Sequence, residues 1–131
     1  MNLHEYQGKS ILENYGVAIQ KGIVANNSND ALEAAEKLTD LKGTKWFVIK
    51  AQIHAGGRGK GGGVKLAKSL KEVKEISESI IGMQLITPQT PSEGKKVNKI
   101  LIAEDVYYPG NSEPKEFYVS ILLNRSTGKN M

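Results

Sequence analysis

Three cations and a run of glycines mark where this 131-residue chain could do chemistry. The stretch Trp46-Phe47-Val48-Ile49-Lys50-Ala51-Gln52-Ile53-His54-Ala55-Gly56-Gly57-Arg58-Gly59-Lys60-Gly61-Gly62-Gly63 opens as a short apolar run with strand character. It delivers Lys50, then passes into glycines that carry Arg58 and Lys60. Glycine has no Cβ, so its backbone takes positive φ and comes close to a ligand. Successive N–H groups can then turn toward phosphate oxygens, and a lysine point charge and an arginine fork both suit phosphate. The same residues also read as a basic hairpin tip that binds nothing, since many loops only connect. The stretch follows neither common nucleotide fingerprint. It lacks G-x-x-x-x-G-K-[ST], and the helix that follows a dinucleotide-type G-x-G-x-x-G is missing. Val64-Lys65-Leu66-Ala67 reads instead as a returning strand. The expected build is a glycine loop between two antiparallel strands, lying over phosphates rather than opening a helix.

A second candidate is Ile102-Ala103-Glu104-Asp105, at the end of the strand 99–103. A purine needs an apolar slot, a backbone donor and acceptor at a strand end, and an acid for ribose hydroxyls. These four residues can supply them, or Glu104 and Asp105 simply cap a strand at the surface. Gln20 offers an amide donor and acceptor. It could meet a ligand through either group, or be a plain surface residue of a strand. His4 reads as a surface or capping residue, and His54 as a residue that shapes the glycine loop or touches phosphate indirectly.

Alternating helices and strands must position these groups. Residues 2–15 predict a helix, with Asn2 and Glu5 as a capping box. Gly8, Ile11, Leu12 and Tyr15 form a core-facing stripe, and Gly16 stops the helix. Residues 17–24, with Gln20 inside, predict a strand. Asn26-Asn27-Ser28 begins a helix whose Ala31, Ala34, Ala35 and Leu38 face the core and which ends near Gly43. Ser69 and Glu72 cap a third helix with Val73, Ile76 and Ile80 as its stripe and Gly82 at its end, and Lys68, Lys71 and Lys74 on a solvated face. Further strands are expected at 83–87, 99–103 and 117–123. Residues 88–97 and 107–115 read as loops, the latter marked by Pro109-Gly110-Asn111 and Pro114. Asn124-Arg125-Ser126-Thr127-Gly128 reads as a tight turn with no partner strand after it, which suggests the front part of a longer protein. This order of elements predicts an α+β (mixed α/β) fold with a partly antiparallel sheet.

Composition narrows the function. A hydrophobic content of 39% and a charged content of 24% suit a globular domain, and the length suits one domain. With no cysteine, disulfides, thiolate nucleophiles and cysteine-based metal sites are excluded. No apolar run reaches the ~20 residues of a membrane span. The start, Met1-Asn2-Leu3-His4-Glu5, lacks the basic-then-apolar pattern of a secretion signal, so a cytoplasmic setting is expected. A net charge of +4 favours an anionic ligand. Arg58, Lys60 and Lys65 could track a nucleic-acid backbone, but aromatic residues make up only 6% of the chain and none interleaves the basic loop, so stacking platforms are missing. Neither nucleic acid nor a membrane is the expected partner; a non-catalytic interaction domain is the remaining alternative.

The opening Met1-Asn2-Leu3-His4-Glu5-Tyr6-Gln7-Gly8-Lys9, the string from Val48 to Lys60, and the later Lys115-Glu116-Phe117-Tyr118 and Asn124-Arg125-Ser126 together resemble the β-subunit family of succinyl-CoA synthetase (succinate–CoA ligase). The resemblance runs through the whole chain, and His-Ala-Gly-Gly-Arg-Gly-Lys after a strand lysine is highly specific to it. It implies the front of an ATP-grasp domain, with the rest of that domain and a CoA-ligase domain lying beyond residue 131. It implies that Lys50 binds nucleotide phosphates, that Gly57, Arg58 and Gly59 form the glycine-rich nucleotide segment, that Ala103 or Glu104 is the hinge facing adenine and ribose, and that Glu116 closes the pocket. Residues 103–115 are longer than the commonest family pattern, which is why the hinge falls on one or the other. The family's register sets the strand 17–24 at the edge of the nucleotide site, which implies that Gln20 could read the base by flipping between guanine O6 and the adenine amino group. The family's phosphohistidine belongs to its α subunit, so His54 is not nominated for it and no catalytic residue is expected here. Mg²⁺ ligands are implied beyond residue 131. The implied ligands and partners are ATP (with GTP possible), Mg²⁺, succinate, CoA and the α subunit, and the implied activity is ADP-forming succinate–CoA ligation in the citric acid cycle. This chain by itself is expected to be inactive.

Overall fold

The computed structural model describes residues 3–107 and 113–131. In chain order the elements are α1 (Glu5–Asn14), β1 (Gly22–Ala25), α2 (Ser28–Lys42), β2 (Phe47–Ala51), β3 (Val64–Ala67), α3 (Leu70–Ile80), β4 (Gln84–Leu85), β5 (Lys95–Lys96), β6 (Ile100–Glu104), β7 (Leu123–Asn124) and β8 (Lys129–Asn130). Four strands form one sheet in the order β1-β6-β2-β3. Every described pairing is antiparallel, so the expected α+β class holds and the sheet is more uniformly antiparallel than expected.

Side chains alternate across a strand. In β2 this sends Phe47, Ile49 and Ala51 into the core and turns Val48 and Lys50 to the opposite face. α2 and α3 pack on each other and on the core face of the sheet. Their inward residues are those the helical spacing singles out, Ala31, Ala34, Ala35 and Leu38 on α2 and Val73 and Ile80 on α3, with Ser77 buried beside the last two. Local capping sets both starts. The Asn27 side chain accepts from the Asp30 N–H at 2.9 Å, and Ser69 Oγ accepts from the Glu72 N–H at 3.2 Å. Gly43, at φ 67°, ends α2.

The structure departs from the sequence expectations in several places. The first helix begins one turn later, with His4 as its N-cap and Gln7 Oε1 accepting from the His4 N–H at 2.9 Å. Asn2 lies outside the described residues, and Glu5 is not a capping acid but points its carboxylate at Lys50 of the sheet and Arg58 of the glycine loop. No residue of α1 is fully buried, only Glu5 and Lys9 being largely enclosed, and Ile11, Leu12 and Tyr15 are exposed: the three-four spacing is present, but among the described residues no core lies beneath it. The strand expected at 17–24 is β1, shifted to Gly22–Ala25, which leaves Gln20 before the strand rather than in it. The loop expected at 88–97 contains β5, which pairs with β4. Residues 117–122 are part of no strand and stand exposed; among the described residues only Leu122 of this stretch finds a backbone partner, exchanging hydrogen bonds with Met131 beside β7 and β8. The turn at 125–128 does have a partner strand, since β8 pairs with β7. The Pro109-Gly110-Asn111 turn lies outside the described residues.

Candidate functional site

The face of the sheet turned away from α2 and α3 carries the candidate site. Lys50 sits in β2 with Leu101 as its register partner on β6 and Val64 on β3. Its ammonium donates to Glu5 Oε1 at 3.0 Å and to Gln20 Oε1 at 2.8 Å. Lys9, one helical turn after Glu5, donates to Gln20 Oε1 at 3.0 Å and pairs with Glu5 Oε1 at 3.1 Å. Arg58 reaches back from the glycine loop, donating to Glu5 Oε2 at 2.7 Å and to the Ala51 carbonyl at 2.6 Å. One carboxylate thus gathers three cations. Burial acts to raise the Glu5 pKa, but the hydrogen bond from Arg58 and the charges of Lys50 and Lys9 overcome it, and the carboxyl is held at about 2. Burial, with the neighbouring Lys50, pushes the Lys9 ammonium below its ordinary value.

The glycine loop is a built turn rather than a slack connection. The N–H groups of Lys60, Gly62 and Gly63 donate to the carbonyls of Gly57, Gly59 and Arg58 at 3.0, 3.2 and 2.8 Å. The Gly56 N–H donates to Gln89 Oε1 at 2.8 Å. The N–H groups of Gly57, Arg58 and Gly59 make no hydrogen bond among the described residues. All three residues line a cavity of about 580 Å³ together with Glu5, His54 and Gln89. Gly57 stands at φ 73°, a conformation for which glycine is favoured. Gly61 is required for packing instead, because a Cβ there would collide with the Ile86 carbonyl oxygen. The loop therefore satisfies its own later donors and leaves the three preceding ones open beside a guanidinium, which is the arrangement that accepts phosphate oxygens.

At the other end, Ala103 pairs with Val48 and Gly22, and Glu104 with Phe47. Glu104 is fully engaged. Its N–H donates to the Lys21 carbonyl at 3.0 Å, its carboxylate accepts from the Lys21 N–H at 2.8 Å, and its carbonyl accepts from Gln20 Nε2 at 2.6 Å. The Asp105 carbonyl and the Val106 N–H are the first backbone acceptor and donor beyond the strand with no hydrogen bond among the described residues. Gln20 bridges the two ends, from Lys50 and Lys9 to Glu104. Its amide is not free to flip, because that would set its NH₂ group against two ammonium groups.

The structure thus brings together Lys50, Gly57, Arg58 and Gly59, and joins them through Glu5 and Gln20 to Glu104, with Ala103 beside it. Glu116 is exposed, outside regular structure, and makes no hydrogen bond or ion pair with these residues. His54 is exposed and stacks on His4 with ring centroids 4.0 Å apart. Burial, then the charges of His54, Lys99 and Arg58, lower the His4 pKa. Sequence reasoning missed Glu5, Lys9 and Gln89 as parts of the site. The spacing of Glu5 and Lys9, four apart on a helix, is the one local signal for them. Among the described residues no group of three His, Asp or Glu side chains could hold a metal ion, and Glu5, the carboxylate beside the loop, is already taken by cations. The site does not fit Mg²⁺ as it stands. The nucleic-acid reading also weakens: among the described residues no Phe, Tyr or Trp side chain lines the loop cavity, so the stacking platform for a single strand is missing.

A family profile described as the ATP-grasp domain matches residues 2–131. Among curated proteins, the chain is 73% identical over 131 residues to the Flavobacterium psychrophilum protein named succinate–CoA ligase [ADP-forming] subunit beta, covering 100% of this chain and 33% of that protein. The Flavobacterium johnsoniae protein of the same name matches equally, at 73% and 33%. The Chlorobaculum tepidum protein of that name is 53% identical, with 32% of its length covered. The chain spans about a third of the length of these relatives. No helix among the described residues is long and apolar enough to cross a membrane.

Proposed function

The chain belongs to the ATP-grasp domain family, and on that premise we propose that it is the part of a longer ligase subunit that takes hold of the nucleotide phosphates. The observation that carries the reading is the set of three unpaired N–H groups, at Gly57, Arg58 and Gly59, beside Arg58 and Lys50. Lys50 and Arg58 provide charge, and the loop backbone provides directed donors. The adenine and ribose lie toward the Ala103–Glu104 end of β6. Because Glu104 is engaged with residues 20 and 21, the backbone contact to the base falls on Asp105 and Val106. Glu116 approaches the pocket only when the exposed segment around it packs onto the nucleotide.

The whole subunit, in this reading, is the β subunit of an ADP-forming succinate–CoA ligase acting in the cytoplasm with an α subunit. It reversibly couples ATP use to thioester formation between succinate and CoA, with GTP an open second nucleotide. The names of relatives 73% identical to the chain support this. Mg²⁺ would be held by residues outside this chain, and so would the phosphoryl acceptor.

Two experiments test the reading. The longer subunit, melted with saturating Mg–ATP, should gain roughly 2.7 kcal/mol at a nucleotide concentration of about 100 Kd. Single-stranded oligonucleotide should give a shift only at low salt. A salt-sensitive oligonucleotide shift with none from ATP would overturn the nucleotide reading. This 131-residue chain alone, given succinate, CoA and ATP, should show no turnover, and turnover would overturn the division of labour.

A further inference from the structure

We propose that Glu5 is a positioning residue of this phosphate site, setting the guanidinium of Arg58 and the ammonium of Lys50 into a fixed pair. This rests on the nucleotide reading above and deepens it. The carboxylate divides its two oxygens between them. Oε2 accepts from Arg58 at 2.7 Å, and Oε1 accepts from Lys50 at 3.0 Å while also pairing with Lys9 at 3.1 Å.

The donor inventory shows why this positions the cations without disabling them. A guanidinium has five N–H donors and an ammonium three. Arg58 gives one to Glu5 and one to the Ala51 carbonyl, which fixes the plane of its fork and leaves three. Lys50 gives one to Glu5 and one to Gln20, which leaves one. Both cations therefore keep donors for a ligand while their rotamers are held. Without Glu5, three cations would face one another with no counter-charge, and their mutual repulsion would scatter them. Glu5 itself is well anchored. It is the first residue of α1, where the helix favours an acid, and its side chain is only 18% exposed. Arg58 and Lys50 are similarly enclosed, at 21% and 19%. An alternative role, Glu5 as an internal competitor that phosphate must displace, predicts the opposite sign on removal.

A double-mutant cycle in the longer subunit decides it, reading Kd for ATP (in Mg²⁺ buffer) and for adenosine. Glu5→Gln should weaken ATP about tenfold, the loss of one charge-assisted hydrogen bond, and leave adenosine unchanged. In an Arg58→Ala background the same substitution should cost less than about threefold, because a residue that acts through Arg58 has little left to position. Glu5→Asp keeps the charge but draws it back by one methylene, and should weaken ATP as Gln does. Tighter ATP binding in Glu5→Gln would make Glu5 a competitor and overturn the proposal. So would losses that multiply independently, or wild-type affinity in Glu5→Asp, which would show that charge alone matters. If the wild-type subunit binds no ATP, the nucleotide reading itself falls and takes the proposal with it. If it binds ATP and the cycle is additive, only the role of Glu5 falls.

Discussion

The two faces of the central sheet are held by different forces. On one, α2 and α3 bury Leu38, Val73 and Ile80 against Phe47, Ile49, Ile100 and Ile102, each large side chain contributing about 1.5–3 kcal/mol on removal from water. On the other, α1 has no fully buried residue and is tied down by polar contacts, chiefly Glu5 and Lys9 to Lys50, Arg58 and Gln20, with the Tyr6 N–H on Gln52 and Glu13 on Lys21. The first face is cohesive whatever the charge state of its surroundings. The second depends on ionised groups that a polyphosphate also seeks. A scaffold and a candidate site are thus built back to back on the same strand, with Ile49 belonging to one and Lys50 to the other.

The largest expected effect breaks the scaffold alone. Phe47, 1% exposed, should cost about 3–5 kcal/mol of stability when changed to Ala. Chemical denaturation measures this, and the fraction still folded should bind ATP within about twofold of wild type.

Acid should do the reverse, releasing the site face and sparing the scaffold. The folded-state pKa of Glu5, about 2, lies below its ordinary 4.5. Its contribution is therefore fully present above about pH 4.5 and is lost as pH falls toward 2. It amounts to on the order of 3 kcal/mol at neutral pH. Amide-exchange protection should vanish from α1 across that interval before it vanishes from α2 and α3. Simultaneous loss would mean that α1 is held by something other than Glu5.

The smallest expected effect refines the scaffold. Ser77 is fully buried on α3, and its Oγ has no hydrogen-bond partner among the described residues. Ser77→Ala should raise stability by roughly 1 kcal/mol, seen as a higher Tm with unchanged ATP affinity. A loss would show that the hydroxyl has a partner in solution.

The same division decides what was legible in the sequence. α2 and α3 were readable because their caps, Asn27 and Ser69, act on residues three positions on, and their stripes face a real core. β3 and the glycine loop were readable for the same local reason. The helix of α1 was legible but its role was not, because Gly8, Ile11, Leu12 and Tyr15 repeat at core spacing although none is buried among the described residues, while the ties that hold it run from residue 5 to residues 50 and 58. Periodicity carries no information about contacts at that separation. Glu5 already had a sufficient local explanation as a helix-capping acid, so nothing drew attention to its partners. Residues 117–122 have strand composition, but a strand also needs an edge to pair with, and composition does not say whether one is within reach. Lys50 and Arg58 were legible as residue types, whereas the choice of Gly57, Arg58 and Gly59 as the open donors became visible only once the turn had used the others.

The central claim, that the polar face is a phosphate site, meets its most direct test in Lys50→Ala. Affinities of the longer subunit for ATP and for adenosine, measured side by side by calorimetry, should separate. ATP should weaken by about 1.5–3 kcal/mol, the worth of a hydrogen bond to a charged group, while adenosine holds. Equal losses for ATP and adenosine, or a large fall in Tm with ATP affinity intact, would contradict the account and make Lys50 part of the scaffold.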